Sequence, residues 1–290
     1  HRIVAQLMGA GASEPPLVIA SEAAESGRGV GEALGGAASA GASLRAYISA
    51  FCPPGSARPC QIVAAPSRDA AGHPRAIEEI DQDVTALVRA AASLGRRVLI
   101  VLMDVSKTGL ISPSPSCALD LKQRFPDQVE VFVDACQLRL APATLRAYLQ
   151  ADCMVALTGS KFMTGPTFSA ALLIPAQAAG RLGAHRLPLS LAPHTGKADW
   201  PRGWPGADAM SDGANFGLLL RWQAALEDMA PFLALPDEQV RAFFQAFAMA
   251  ASARMEHDPA FEPLPQRPLD RKVLGAIDSW DGVHTIHPFM

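Results

Sequence analysis

VEVFVDACQ at residues 129–137 and CMVALTGSKFMTGPTFSAALLIP at residues 153–175 decide the fold. Each opens on an apolar run of strand length and ends in polar and turn residues. The interval between them has room for one helix, so the pair reads as a strand–helix–strand return in a parallel sheet. Asp134 follows directly on the first run, and Lys161 comes just after the second, 27 residues later. Because the carboxyl ends of strands in an open α/β sheet form the ligand crevice, both side chains are expected to reach one pocket.

Working outward, strand-like runs stand at 17–20, 61–64, 98–103, 129–133, 153–157 and 169–174, alternating with helical patterns. Helices are expected at 30–40, 80–92 and 145–150, the second with Ile80, Val84, Leu87, Val88 and Ala91 on one face. The fold class is therefore α/β, a mostly parallel sheet flanked by helices. Past Pro175 the pattern becomes rich in Pro and Gly with two tryptophans over 187–213, then gives long helical stretches at 215–229 and 237–255. FEPLPQRPLDR, residues 261–271, reads as a linker. The expected division is a large domain over 1–257, and over 258–290 a linker with the start of a small α+β domain. The chain begins on His1, and 283–290 reads as a strand that stops as it begins, so a piece of a longer protein is expected.

Twenty-five basic against 28 acidic residues give a net charge of −3 and a pI near 6.2, without the basic excess that binding a phosphate backbone needs. Nucleic acid is not an expected partner. Apolar residues make up 49% and charged ones 18%, which excludes a disordered polyelectrolyte. No apolar run is long enough to span a bilayer, so no membrane partner is expected. The five cysteines form no CxxC pattern, and a reducing, cytoplasmic setting is the expected one; Cys52 and Cys60 in CPPGSARPC read as free thiols in a proline-rich turn. Only five of the 25 basic residues are lysines, so a lysine at the end of a core strand is informative.

Asp134-Ala135-Cys136-Gln137 and Thr158-Gly159-Ser160-Lys161, with Gly165-Pro166 after the lysine, resemble the fold-type I pyridoxal-phosphate enzymes, in particular the class V aminotransferase and cysteine desulfurase-like branch. The resemblance implies pyridoxal 5'-phosphate as cofactor, a small-molecule amino substrate and a homodimer. Lys161 would form a Schiff base with the cofactor aldehyde and afterwards move protons. Asp134 would keep the pyridine nitrogen protonated, so that the ring accepts electrons. Gln137 would hydrogen-bond the ring's phenolic oxygen, and Thr158 and Ser160 would contact the phosphate. Ser160 stands where the desulfurase pattern has histidine. By the same resemblance, the phosphate-binding loop would lie before His1, and the small-domain arginine for a substrate carboxylate would lie beyond Met290.

Further positions follow from the resemblance. VLIVLMDVSKTG, residues 98–109, would place Ser106 or Lys107 by the pocket, although Ser-Lys-Thr stands where desulfurases commonly have Asn-Asn-Glu. Ser26 would line the pocket at a place often held by a planar residue that stacks on the ring, and a helix N-cap is its alternative reading. Asn215 would reach the neighbouring subunit's phosphate, or simply cap the helix after it. Gly27 to Gly31 reads GxGxG, a weak nucleotide-loop pattern with no acidic residue about twenty positions onward. His284 and His287 form HxxH without a further ligand, so no metal site is expected. The favoured activity is amino-group transfer; the alternatives are carbon–sulfur lyase chemistry, or a non-catalytic protein that retains the fold.

Overall fold

A computed structural model describes residues 2–9, 14–26, 61–183, 185, 195–275 and 278–290. The expected helix over 30–40, the Gly27–Gly31 loop, Cys52 and Cys60 lie outside the described residues. Strands β1 (Leu17–Ala20), β2 (Gln61–Ala64), β3 (Val98–Met103), β4 (Val129–Asp134), β5 (Met154–Thr158) and β6 (Ala170–Leu173) form one sheet in the order β2-β1-β3-β4-β5-β6. The first five are parallel and β6 returns antiparallel to β5. The chain leaves β1 for β2 on one side and resumes at β3 on the other, so the sheet's switch point lies between β1 and β3.

Strand alternation sorts the apolar residues into two cores. Ile19, Ile100, Leu102, Val131, Val133 and Val155 pack beneath α2 (Ile77–Ser93), α3 (Pro115–Arg124) and α4 (Pro142–Gln150). Val18, Leu99, Val101, Phe132 and Met154 pack beneath α1 (Arg2–Gly9), α5 (Ala176–Gly183) and the turn at Pro205–Ala209. Both faces are covered, which is why β3 reads VLIVLM without alternation: every residue in it is buried. Each fully buried Leu or Ile contributes about 1.5–3 kcal/mol from area removed from water. Helix α3 has a weak apolar face and does not stand out in the sequence; Ser114 starts it, accepting from the Cys117 N–H at 3.0 Å, with Pro115 next.

Helices α6 (Phe216–Leu233) and α7 (Asp237–Glu256) follow, and residues 258–275 and 278–290 then return across the carboxyl edge of the sheet. Gln266 donates to the Thr108 carbonyl at 2.7 Å, Arg139 to the Thr285 carbonyl at 2.8 Å, and Ile286 packs against the first core. The stretch expected to be a starting strand, 283–290, makes one antiparallel bridge, Pro263 with Phe289. Among the described residues no helix is long and apolar enough to cross a membrane.

This returning segment carries a pH dependence. Burial pushes the His284 ring below its ordinary value of 6.5, with His287 and Arg271 adding to the effect against a bond to the Arg267 backbone. His287 is pushed down by burial and then by Arg139. His284 Nδ1 and His287 Nε2 are buried without a partner. The unfolded chain therefore takes up protons at these rings before the folded one does. Their contribution to stability is full above pH 6.5 and is lost as pH falls through the lowered folded values. Urea midpoints measured between pH 7.5 and 5.5 should fall more for the native chain than for a His284→Gln/His287→Gln variant; equal slopes would refute the assignment.

Candidate active site

Asp134 is the last residue of β4, in register with Met103 of β3 and Ala156 of β5. Alternation places Asp134, Ala156 and Thr158 on the sheet face shared by Phe132 and Met154. Asp134 is 6% exposed, and its Oδ1 accepts the Cys136 N–H at 3.1 Å. The Cys136 thiol is pushed far up by burial, then by the Asp134 charge and a hydrogen bond to that carboxylate, while Lys161 pulls it down. Asp134 ends β4, and Lys161 follows three residues after the end of the adjacent parallel strand β5.

Lys161 itself is exposed, on a loop closed at its base by Gly159 N–H to the Ser169 carbonyl and Gly165 N–H to the Gly159 carbonyl, each 2.9 Å. The Thr158 hydroxyl donates to the Ser169 carbonyl at 2.9 Å and lies 2.9 Å from the Ser160 hydroxyl. With its one proton committed, Thr158 can only accept from Ser160, so the Ser160 hydroxyl would have to rotate off Thr158 to donate to an anion. Left-handed backbone at the bulky residues Leu138 (φ 52°), Thr164 (φ 57°) and Phe168 (φ 66°) flanks both loops. Strain of this kind persists only where packing over-determines it.

Helix α6 supplies part of that packing. A Cβ on Gly159 would lie 2.7 Å from the Ala225 Cβ, and one on Gly165 would lie 2.8 Å from the same atom and 2.9 Å from the Ala225 Cα. The Trp222 indole N–H donates to the Ala170 carbonyl at 3.2 Å. Gly165→Ala should therefore displace α6 from the lysine loop and destabilise the fold by about 1–3 kcal/mol, read as a lower thermal midpoint. An unchanged midpoint would show that the helix yields freely.

Ser106, Ser26 and Asn215 make bonds of their own. The buried Ser106 hydroxyl donates to Glu25 Oε2 at 2.6 Å, and Glu25 also accepts from Thr108 and from Arg68 Nε at 2.7 Å. Burial alone would raise Glu25, yet the bonds from Ser106, Thr108 and Arg68 hold it below the usual carboxylate value. This network joins the segments after β1 and β3 at the switch point, so the Ser106 hydroxyl serves Glu25. The Ser26 hydroxyl donates to the Glu22 carbonyl at 3.1 Å. Asn215 caps α6, its Oδ1 accepting the Leu218 N–H at 3.0 Å. Gln137 is half-buried in the turn after Asp134.

Asp104 went unnoticed in the sequence, although it follows VLIVLM as Asp134 follows VEVFV. It is fully buried and pairs with Arg271 through two bonds, 2.8 Å from Nε to Oδ2 and 2.6 Å from Nη2 to Oδ1. The Tyr148 hydroxyl donates to the same carboxylate at 2.6 Å. Burial would lower Arg271, but the adjacent Asp104 outweighs it and drives the guanidinium far up.

No protein-family model and no curated protein matches the sequence. Solved structures similar to this chain include histidinol-phosphate aminotransferase from Sinorhizobium meliloti in complex with pyridoxal-5'-phosphate, at 13% identity and TM-score 0.42, covering 91% of this chain and 56% of that one. Another is the apo cysteine desulfurase from Thermococcus onnurineus NA1, at 12% identity and TM-score 0.48, covering 92% and 59%. A third is mouse CSAD, at 13% identity and TM-score 0.45, covering 86% and 46%. The chain spans 46–59% of the length of these structures. Values in this range assign no activity.

Proposed function

We propose that this chain belongs to a pyridoxal-phosphate enzyme that acts on an amino acid or related amine, with amino-group transfer as its reaction. The observation that supports the reading is the placement of Asp134 at the carboxyl end of β4 and of Lys161 just past that of the neighbouring parallel strand β5, on the register Asp134 to Ala156. The residues present fit the cofactor chemically. A nearly buried carboxylate suits a protonated ring nitrogen, an exposed amine suits an aldehyde, and the Ser160 hydroxyl suits a phosphate oxygen. When bound, the group supplies that aldehyde and an electron-accepting ring.

The chain's own residues divide the work. Asp134, oriented by the Cys136 N–H, would hold a proton at the ring nitrogen. Lys161 would hold the cofactor and, with its amine free, would take and return the proton at the substrate α-carbon. Ser160 orients the phosphate, with Thr158 fixing the turn from which it points. Sulfur-carrying chemistry finds little support in the three described thiols: burial pushes Cys117 up to about 11 and Cys153 up to about 12, and Cys136 goes higher still. The reading includes a cytoplasmic homodimer. Phe216, Leu219 and Leu220 stand exposed beside Asn215 on α6, an apolar patch suited to a second copy.

The test is covalent. After incubation with pyridoxal phosphate and borohydride reduction, peptide mapping should find the pyridoxyl group on Lys161. A label on Lys107 in its place would overturn the assignment, and a monomeric mass in the presence of cofactor would overturn the dimer.

A further inference from the structure

We infer that Trp280 and Arg139 are positioning residues for Lys161, acting through Phe162; this rests on the cofactor reading of Lys161 and extends it to side chains outside the site. Phe162 follows Lys161 directly and is the hub of an aromatic cluster. Its ring stacks on Trp280 at 5.8 Å between centroids and 24° between planes, meets Phe232 of α6 edge-on at 5.5 Å, and lies 6.0 Å from Phe244 of α7. Trp280 is 4% exposed and itself contacts Phe232 at 5.4 Å and Phe244 at 5.7 Å.

Arg139 closes the arrangement from the other loop. Its guanidinium carbon sits 4.6 Å above the Phe162 ring, within the range of a cation–π contact, and its Nη1 donates to the Thr285 carbonyl at 2.8 Å. Arg139 lies five residues after Asp134, and Phe162 one residue after Lys161. The contact between them therefore ties the loop that carries the acid to the loop that carries the amine. The returning segment fastens both, through Trp280 on one ring face and Thr285 on the guanidinium.

The consequence is geometric. Lys161 is exposed and its long side chain is flexible, so its reach is set by its backbone, and that backbone is fixed by the ring next to it. A misplacement of about 1 Å at a reacting group can lower a rate by about a hundredfold. Trp280→Ala would open space beside Phe162 and let the 159–169 loop shift relative to Asp134 while leaving both chemical groups present. Trp280→Phe would keep an aromatic face and much of the volume.

The experiment uses the full 290-residue chain with pyridoxal phosphate as probe and reads borohydride-trapped label at Lys161 relative to Lys272, which is almost wholly exposed and serves as internal reference. Trp280→Ala should lower the Lys161 to Lys272 ratio by about tenfold, Trp280→Phe should restore most of it, and Arg139→Met should lower it less than Trp280→Ala does. A folded Trp280→Ala protein with the native ratio overturns the inference. Where Trp280→Ala does not fold, a native ratio in Arg139→Met overturns it. A native chain that takes no label at Lys161 means that the cofactor reading has failed, and the inference falls with it; label at Lys161 that is indifferent to these substitutions means that only the inference has failed.

Discussion

Asp104→Ala should lower the unfolding free energy by about 3–5 kcal/mol. The substitution leaves the Arg271 guanidinium, 9% exposed, buried without its bidentate partner, and leaves the Tyr148 hydroxyl without an acceptor. Removing one member of a buried pair costs far more than the pair contributes, because the charge that stays behind loses both water and partner. A double variant, Asp104→Leu with Arg271→Met, should accordingly recover most of the loss. The site matters for more than stability. Asp104 N–H donates to the Asp134 carbonyl at 2.9 Å, and Arg271 Nη1 donates to the Asp281 carbonyl at 2.7 Å. Loosening the pair would therefore free both the returning segment and the end of β4. Denaturant midpoints decide the matter: an Asp104→Ala protein within 1 kcal/mol of native would show that water already compensates Arg271.

That pair also marks where reading the sequence stops. Local signals carried the sheet well, since β1, β2 and β3 fall at the residues their apolar runs indicate, and β4 runs one residue further to take in Asp134. β5 lies one residue later than its apolar run, because Cys153 packs into the core as the strand begins and Thr158 continues the ladder with Ala170. The strand ends that place Asp134 and Lys161 were legible because a strand end is a local feature. The remaining site features depend on partners distant in sequence. Ser106 looked like a pocket residue, but its partner Glu25 stands 81 positions earlier, and Arg271 reaches back 167 positions to Asp104. The proline-rich stretch near 261–271 read as a linker by composition alone; only tertiary contacts show Gln266, Arg267 and Arg271 bonded to the loops around β3 and α2. Composition signals the absence of regular structure, not the absence of packing.

Asp134→Ala should separate two properties that Lys161 alone cannot distinguish. The amine of Lys161 sits on its own loop, braced by Gly159, Gly165 and Phe162, none of which depends on the carboxylate. Covalent capture of pyridoxal phosphate at Lys161 should therefore persist in the variant. What goes is the acceptor that holds a proton at the ring nitrogen. Burial makes that acceptor effective: at 6% exposure the carboxylate competes little with water, and the Cys136 N–H keeps it aimed. Without it, turnover of an amino substrate by the cofactor-loaded protein should drop by about 10²-fold or more, in the range of a lost positioned proton-holding group. Asp134→Asn should behave like the alanine variant, since an amide fills the space but carries no charge to favour the proton. The direct measurement uses 15N-labelled pyridoxal phosphate, whose ring-nitrogen resonance should report a protonated nitrogen at neutral pH in the native protein and an unprotonated one in both variants. A nitrogen that stays protonated in Asp134→Ala would remove Asp134 from this role, whatever the turnover.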